Sequence, residues 1–206
     1  MDFTPEKLHQ VHNEGNNGEL IFRTHDDYIT FIQLVQHYVS PSTDIIGWCL
    51  LPRHFHFLFY TDDRCLQKIK QGGLYLDPVS NGIRCLLSGY ARIFNKRYNR
   101  YGSLFRQKTK SQCFPISTGK QLFNRKYSTA EYRSYPLHYV HQAPLREGIV
   151  KSLEDWEYSS FADYAGAKAG ILCNKALASK LKIFNPEHFH TASYERIPSE
   201  IAVLFL

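Results

Sequence analysis

Apolar and polar positions alternate with a period of two along residues 50–59, Leu-Leu-Pro-Arg-His-Phe-His-Phe-Leu-Phe. On a strand, that alternation puts Phe55, Phe57 and Phe59 on one face, towards a core, and His54 and His56 on the other. Residues 45–50 predict a second strand, and Pro52-Arg53 the turn between them; strands joined so briefly pair antiparallel. Residues 8–12 predict a first strand, followed by a loop over 13–18, Asn-Glu-Gly-Asn-Asn-Gly. Thr24 is placed to cap a helix in which Tyr28, Phe31, Ile32, Val35 and Tyr38 recur at helical spacing. Residues 66–70 predict a short helix and 71–82 a loop. Residues 83–98 predict a longer helix, with Tyr90, Phe94 and Tyr98 as its core-facing stripe. Residues 111–116 predict a further strand. Ser128-Thr129-Ala130-Glu131 has the form of a capping box. The helix it starts carries Tyr132, Tyr135, His138, Tyr139 and His141, is expected to kink or restart at Pro136, and ends near residues 142–144. The sum is an α+β fold, a central antiparallel sheet with helices packed largely on one face, and a C-terminal arm from about Ala167.

Composition narrows the setting. The chain has 206 residues, 43% of them hydrophobic and 15% aromatic, enough for one domain with a substantial core or a domain with an extension. Its five cysteines are odd in number, scattered and free of C-x-x-C pairs, which argues against a disulfide framework or a thiolate zinc site. The first residues lack the apolar run of a signal peptide, and no stretch approaches the roughly 20 apolar residues of a membrane span. A soluble, reduced, cytoplasmic protein is expected.

The net charge of +6 is unevenly placed. Residues 92–133 hold eleven Lys or Arg against one acid, Glu131, a balance of +10, and the remainder carries −4. A basic segment on a mildly acidic body is the footprint of a phosphate-binding surface, and its concentration favours nucleic acid over a merely solvated face. Arg92, Lys96, Arg97 and Arg100 fall largely off the aromatic stripe of their helix and are expected to face DNA.

Two imidazoles on adjacent same-side positions of one strand can chelate a divalent cation. In the wider context of the chain that pair becomes specific. Residues 12–17, His-Asn-Glu-Gly-Asn-Asn, precede Ile21-Phe22; then come Trp48 to Phe59, Tyr90-Ala91-Arg92 with Phe94-Asn95, and Gly102-Ser103-Leu104-Phe105. Tyr139-Val140-His141-Gln142-Ala143-Pro144 with Gly148-Ile149-Val150, and Trp156-x-Tyr158-Ser159-Ser160, complete the series. In that order these blocks resemble the REP-associated tyrosine transposases, single-tyrosine nucleases with a His-hydrophobic-His motif, over roughly residues 8–166.

The resemblance implies a ferredoxin-like sheet, with a nuclease domain over 1–166 and a C-terminal extension over 167–206. It also implies a metal-dependent, sequence- and structure-specific endonuclease and transposase that cuts and rejoins single-stranded DNA at repeated palindromic hairpins. Tyr139 would be the nucleophile, forming a covalent phosphotyrosine with the DNA 5′ end. His54 and His56 would hold Mg²⁺ or Mn²⁺. Arg92, Lys96, Arg97, Arg100, Arg106, Lys108, Lys110, Arg125 and Lys126 would hold the strand. The partner would be DNA, with no membrane, the protein a monomer or homodimer, and the setting a bacterial cytoplasm and its nucleoid. One position departs from the family. Four residues after the tyrosine the family usually places Asn or Gln as a further metal ligand; here stands Ala143, leaving that role to His141, Gln142 or water. The alternative is therefore a catalytically weak or inactive hairpin-binding protein on the same fold. Tyr132, Tyr135 and Tyr158 are expected to be packing residues, and His188-Phe189-His190 the start of a surface helix.

Overall fold

The computed structural model describes residues 3–114, 116 and 127–205. Lys120, Arg125 and Lys126 of the basic segment lie outside the described residues. The chain opens with β1 (Lys7–Glu14), α1 (His25–Tyr38), β2 (Asp44–Leu51) and β3 (His54–Thr61). A small hairpin of β4 (Ile69–Gln71) and β5 (Leu74–Leu76) leads into α2 (Pro78–Arg97) and β6 (Lys110–Phe114). Then come α3 (Thr129–His141), α4 (Ala143–Arg146), α5 (Phe161–Tyr164), α6 (Lys175–Lys180), α7 (Phe189–Tyr194) and α8 (Ser199–Ala202). Among the described residues the main sheet has four strands in the order β2-β3-β1-β6, each pair antiparallel. With α1 between β1 and β2, and α2 between β3 and β6, this is the βαββαβ order of a ferredoxin-like sheet.

The alternation read along residues 50–59 decides which face each side chain takes. Phe55, Phe57 and Phe59 are buried with Val11 against Phe31, Val35, Ile83, Leu86 and Tyr90 of α1 and α2. The opposite face is also covered, contrary to the expectation of helices largely on one side. There Leu8, Leu58 and Ile46 pack against Leu137 and Val140 of α3 and against Ile183, Phe189, Ile201 and Phe205 from the C-terminal segment. Residues beyond 167 therefore contribute side chains to this second core.

Local chemistry explains the helix ends. Asp27 accepts the Thr24 amide at 3.1 Å, fixing the start of α1. At α3 the Ser128 amide donates to Glu131 at 2.7 Å and the Glu131 amide to Ser128 Oγ at 3.1 Å, the reciprocal pair expected from the sequence. The helix runs on through Pro136 without the expected restart.

Two local expectations fail. The helix expected over 66–70 is only a 3₁₀ turn at Asp63–Leu66, and 71–82 are no plain loop: β4 and β5 pair around Gly72-Gly73, both at positive φ (54° and 86°), a two-residue hairpin of the kind that favours glycine. The long helix then begins at Pro78, five residues before the expected start at 83. Asp77 caps it by accepting the Ser80 amide at 2.7 Å, with proline in the first turn. Gly82 lies inside this helix because α1 crosses there: a Cβ would stand 2.3 Å from the Tyr38 carbonyl oxygen.

The Trp156–Ser160 segment closes the free edge of β2. Leu50 donates its amide to the Tyr158 carbonyl at 2.8 Å and Ser160 its amide to the Trp48 carbonyl at 2.9 Å. Trp156 Nε1 reaches the Leu50 carbonyl at 3.0 Å. Backbone groups that would otherwise invite another chain are thereby paired, and the hairpin carrying His54 and His56 is held from outside.

Candidate active site

The cleft lies on the α3 side of the sheet. Register builds it: His12 of β1 stands opposite His56 of β3, Glu14 opposite His54, and Lys110 of β6 opposite His12. These side chains share one face, with Tyr139 of α3, Arg146 and Glu147 closing over them and Phe205 at the rim. The enclosed volume is about 270 Å³, room for a phosphate group and a few waters.

The imidazoles are close. The His54 and His56 rings are 5.0 Å apart, and His12 stacks on His56 at 5.5 Å, 19° between planes. His54 Nε2 meets the Glu147 carboxylate at 2.7 Å. The Gln10 amide meets His56 Nδ1 at 3.3 Å. Burial, then the neighbouring His54, His12 and Arg146, hold His56 well below its ordinary pKa. His12 is lowered too, by burial and then by Lys110 and His54, with Glu14 opposing. Both shifts favour the neutral imidazole, the form that binds a cation. Among the described residues no three His, Cys, Asp or Glu groups stand in a ready-made coordination arrangement; His54 is engaged by Glu147 and the other two rings lie stacked.

Tyr139 is held on its ring faces. The Phe205 ring stacks on it at 4.2 Å and 14°, and the Arg146 guanidinium sits 3.8 Å from the ring centroid. Arg146 Nη1 also donates to the Tyr139 carbonyl at 2.6 Å. Arg146, which sequence reading did not single out, thus lies directly against the tyrosine; its signal was only its place seven residues on, just past the end of α3.

His141 and Gln142, the residues expected to stand in for the missing ligand, are committed to the second core. His141 Nε2 bonds Ser160 Oγ at 2.7 Å, and its ring lies among Phe161, Tyr164 and Phe189. The Gln142 amide donates to the carbonyls of Ser193 and Glu195, both at 2.9 Å. Ala143 is itself buried in that core. Tyr132 is buried there too, Tyr158 stacks on Tyr28 at 3.6 Å, and neither lines the cleft. His188 sits at the N-cap position of α7, and the exposed His190 bonds Glu154 at 2.7 Å.

The basic residues divide into two groups. Arg92, Lys96, Arg106, Lys108 and Lys110 are exposed. Arg106 holds Glu14 at 2.9 Å, beside the cleft. Arg97 and Arg100 were expected to face DNA, and the fold employs both. Arg97 pairs with buried Asp27, and Arg100 grips Glu19 through two nitrogens as well as the Ser103 carbonyl at 2.9 Å. A groove of about 930 Å³ runs between α2 and the segment leading into β6. Arg84, Arg106 and Lys108 line it above an apolar floor of Ile83, Leu87 and Phe105. Arg84 falls before the basic run begins and escaped the charge count.

The four-stranded ferredoxin-like sheet with its covering helices has the fold of a REP-associated tyrosine transposase. The chain is similar to the solved structure of one bound to a REP hairpin, with 15% identity and a TM-score of 0.55 over 84% of this chain and 92% of that one. Identity that low carries the fold and no more. Looser matches are a bacterial tRNA(His) guanylyltransferase-like protein in complex with GTP (7% identity, TM-score 0.36, 72% of this chain and 71% of that one) and the tRNA(His) guanylyltransferase of Saccharomyces cerevisiae (13%, 0.36, 92% and 85%). No family model and no curated protein matches the chain. Among the described residues no helix is long and apolar enough to cross a membrane.

Proposed function

We propose that the chain cuts and rejoins single-stranded DNA beside a hairpin, with Tyr139 as nucleophile. The observation that carries this reading is the convergence of Tyr139, His54 and His56 in one cleft flanked by Lys110 and Arg146. The likeness to a transposase bound to a REP hairpin supports DNA as the partner, and a repeated palindrome is the proposed substrate. Residues 1–166 would form the nuclease unit, with 167–206 as an extension that helps to cover the sheet.

The residues fit a divalent cation, Mg²⁺ or Mn²⁺: His54 and His56 would hold it, with carboxylates at hand in Glu14 and Glu147. Bound there, the cation would withdraw charge from the scissile phosphate. Lys110 and Arg146 add positive charge on the flanks, where negative charge develops on the phosphoryl oxygens. The Tyr139 hydroxyl would give up its proton as its oxygen attacks phosphorus, the P–O3′ bond breaks, and the leaving 3′ oxygen takes up a proton. The 5′ phosphate remains as an ester on Tyr139. The reverse attack by a 3′ hydroxyl restores the phosphodiester and the phenol, so strands rejoin without an external energy source. Arg84, Arg106 and Lys108 in the groove, with Arg92 and Lys96 on α2, would hold the backbone of the hairpin.

The test is a covalent adduct. With a hairpin substrate and Mn²⁺, wild type should yield a protein–DNA species resistant to denaturant, and Tyr139→Phe should yield none. An adduct of equal yield in the variant would move the nucleophile elsewhere. One observation favours a second reading, a hairpin-binding protein of weak activity: Phe205 covers the Tyr139 ring. Hairpin binding with no adduct from wild type or from Phe205→Ala would select that reading.

A further inference from the structure

We propose that His12 is the third protein ligand of the divalent cation held by His54 and His56; this deepens, and rests on, the reading of the cleft as a metal-dependent DNA-cleaving site. The ligand that the chain does not offer at Ala143, just past the end of α3, would come from β1 instead.

Pairing of β1 with β3 puts His12 directly opposite His56 and Glu14 directly opposite His54, so four potential donors form a square on one sheet face. Directly opposed residues have Cβ atoms about 5 Å apart, within the span of two imidazoles on one ion. The rings already lie 5.5 Å (His12 to His56) and 5.0 Å (His54 to His56) apart. Of the other nearby donors, His141 is engaged by Ser160, Gln142 by two carbonyls, Glu14 by Arg106 and Glu147 by His54. Gln10 supplies the support that a metal-bound imidazole needs. It is buried at 3% exposure, its Oε1 finds no partner, and its amide faces His56 Nδ1. Turned so that Oε1 accepts from Nδ1–H, the amide leaves the Nε2 lone pair of His56 for the cation. What remains is a side-chain rotation of His12 out of its stack and release of His54 from Glu147. Both residues sit on strands paired in register, so the proposed adjustment falls on side chains. Three imidazoles also shift the preference towards Mn²⁺ over the harder Mg²⁺.

The experiment is Mn²⁺ titration of the whole chain without DNA by calorimetry, with the number of ligating histidine nitrogens read by electron spin-echo envelope modulation. Wild type should show three. His12→Ala, and His12→Gln as a variant that keeps side-chain bulk in the strand, should show two and bind Mn²⁺ at least about tenfold more weakly, each melting like wild type. His12 variants with wild-type affinity and three nitrogens would overturn the proposal. If His54→Ala removes Mn²⁺ binding while both His12 variants keep it, only the role of His12 falls. If His54→Ala also binds as wild type, the metal reading of the cleft falls with it.

Discussion

Arg97→Ala separates a structural cation from a DNA-binding one. The Asp27 side chain is 1% exposed, and Arg97 is 35% exposed. Burial alone would raise the Asp27 pKa; the Tyr98 hydroxyl at 2.7 Å, the Arg23 and Thr24 amides at 2.9 and 3.1 Å, and the Arg97 guanidinium together hold it below the ordinary value. Removing one partner of a fully buried ion pair costs roughly 3–5 kcal/mol. Here Asp27 keeps three donors, and water can follow the partly exposed Arg97. The figure for losing one charge-assisted hydrogen bond, about 2 kcal/mol, is therefore the better measure. For a chain of this length that lowers Tm by roughly 4–8 °C. Lys96, one residue away and exposed, provides the contrast. Lys96→Ala should melt like wild type, weaken hairpin binding and reduce the slope of log K against log salt by about one. Thermal melts and salt-dependent hairpin binding on both variants check this. The reasoning is refuted if Arg97→Ala melts like wild type while hairpin affinity and salt slope fall as they do in Lys96→Ala.

In the groove, Arg84→Ala and Lys108→Ala should each weaken hairpin binding and lower the salt slope by about one, with Tm unchanged; a variant that melts early instead would make that residue structural. Phe205→Ala should raise the rate of adduct formation severalfold by uncovering Tyr139, and a slower rate would mean that the stack positions the tyrosine. Burial pushes His138 down to about 4, so between pH 6.5 and 4 the unfolded chain takes up a proton that the folded chain refuses. Stability should fall as pH drops through that window, His138 contributing roughly 3 kcal/mol by its lower end. Urea unfolding of wild type and His138→Gln at pH 7 and 4.5 should show the smaller acid loss in the variant, and equal losses would refute the assignment.

What the sequence made legible was local. The two-residue period around His54, the capping box at Ser128 and the stripe on α1 each fix an element from neighbours a few positions away. The α2 start was misread because Asn81-Gly82 reads as a turn, whereas Gly82 answers to the Tyr38 carbonyl of another helix. Arg97 and Arg100 read as free cations because their partners, Asp27 and Glu19, lie 70 and 81 positions away. The C-terminal part of the second helical layer was missed because α6, α7 and α8 are of four to six residues, too short for a period to emerge. His12 was visible as the end of a strand, but its place opposite His56 exists only once β1 and β3 are in register.

That register gives the alanine at 143 a physical sense. Ala143 is 1% exposed, and its neighbours Val140 and Leu153 are sealed in the same apolar layer. An amide side chain in its place would have to reach the cleft or lie unpaired among apolar groups, at a cost of about 1–3 kcal/mol. The helix end here serves packing. It carries Tyr139 to the cleft and delivers Arg146 beside it, while His141 and Gln142 tie it to Ser160 and Ser193. On the proposed reading, donors for a cation would come from the opposite wall, where His12 and Glu14 on β1 lie opposite His56 and His54 on β3. A site built on two paired strands keeps its donors fixed relative to one another while the tyrosine approaches from a separate element. On the proposed reading, cation binding and nucleophile placement would then be physically separable, and a defect in one would not have to abolish the other.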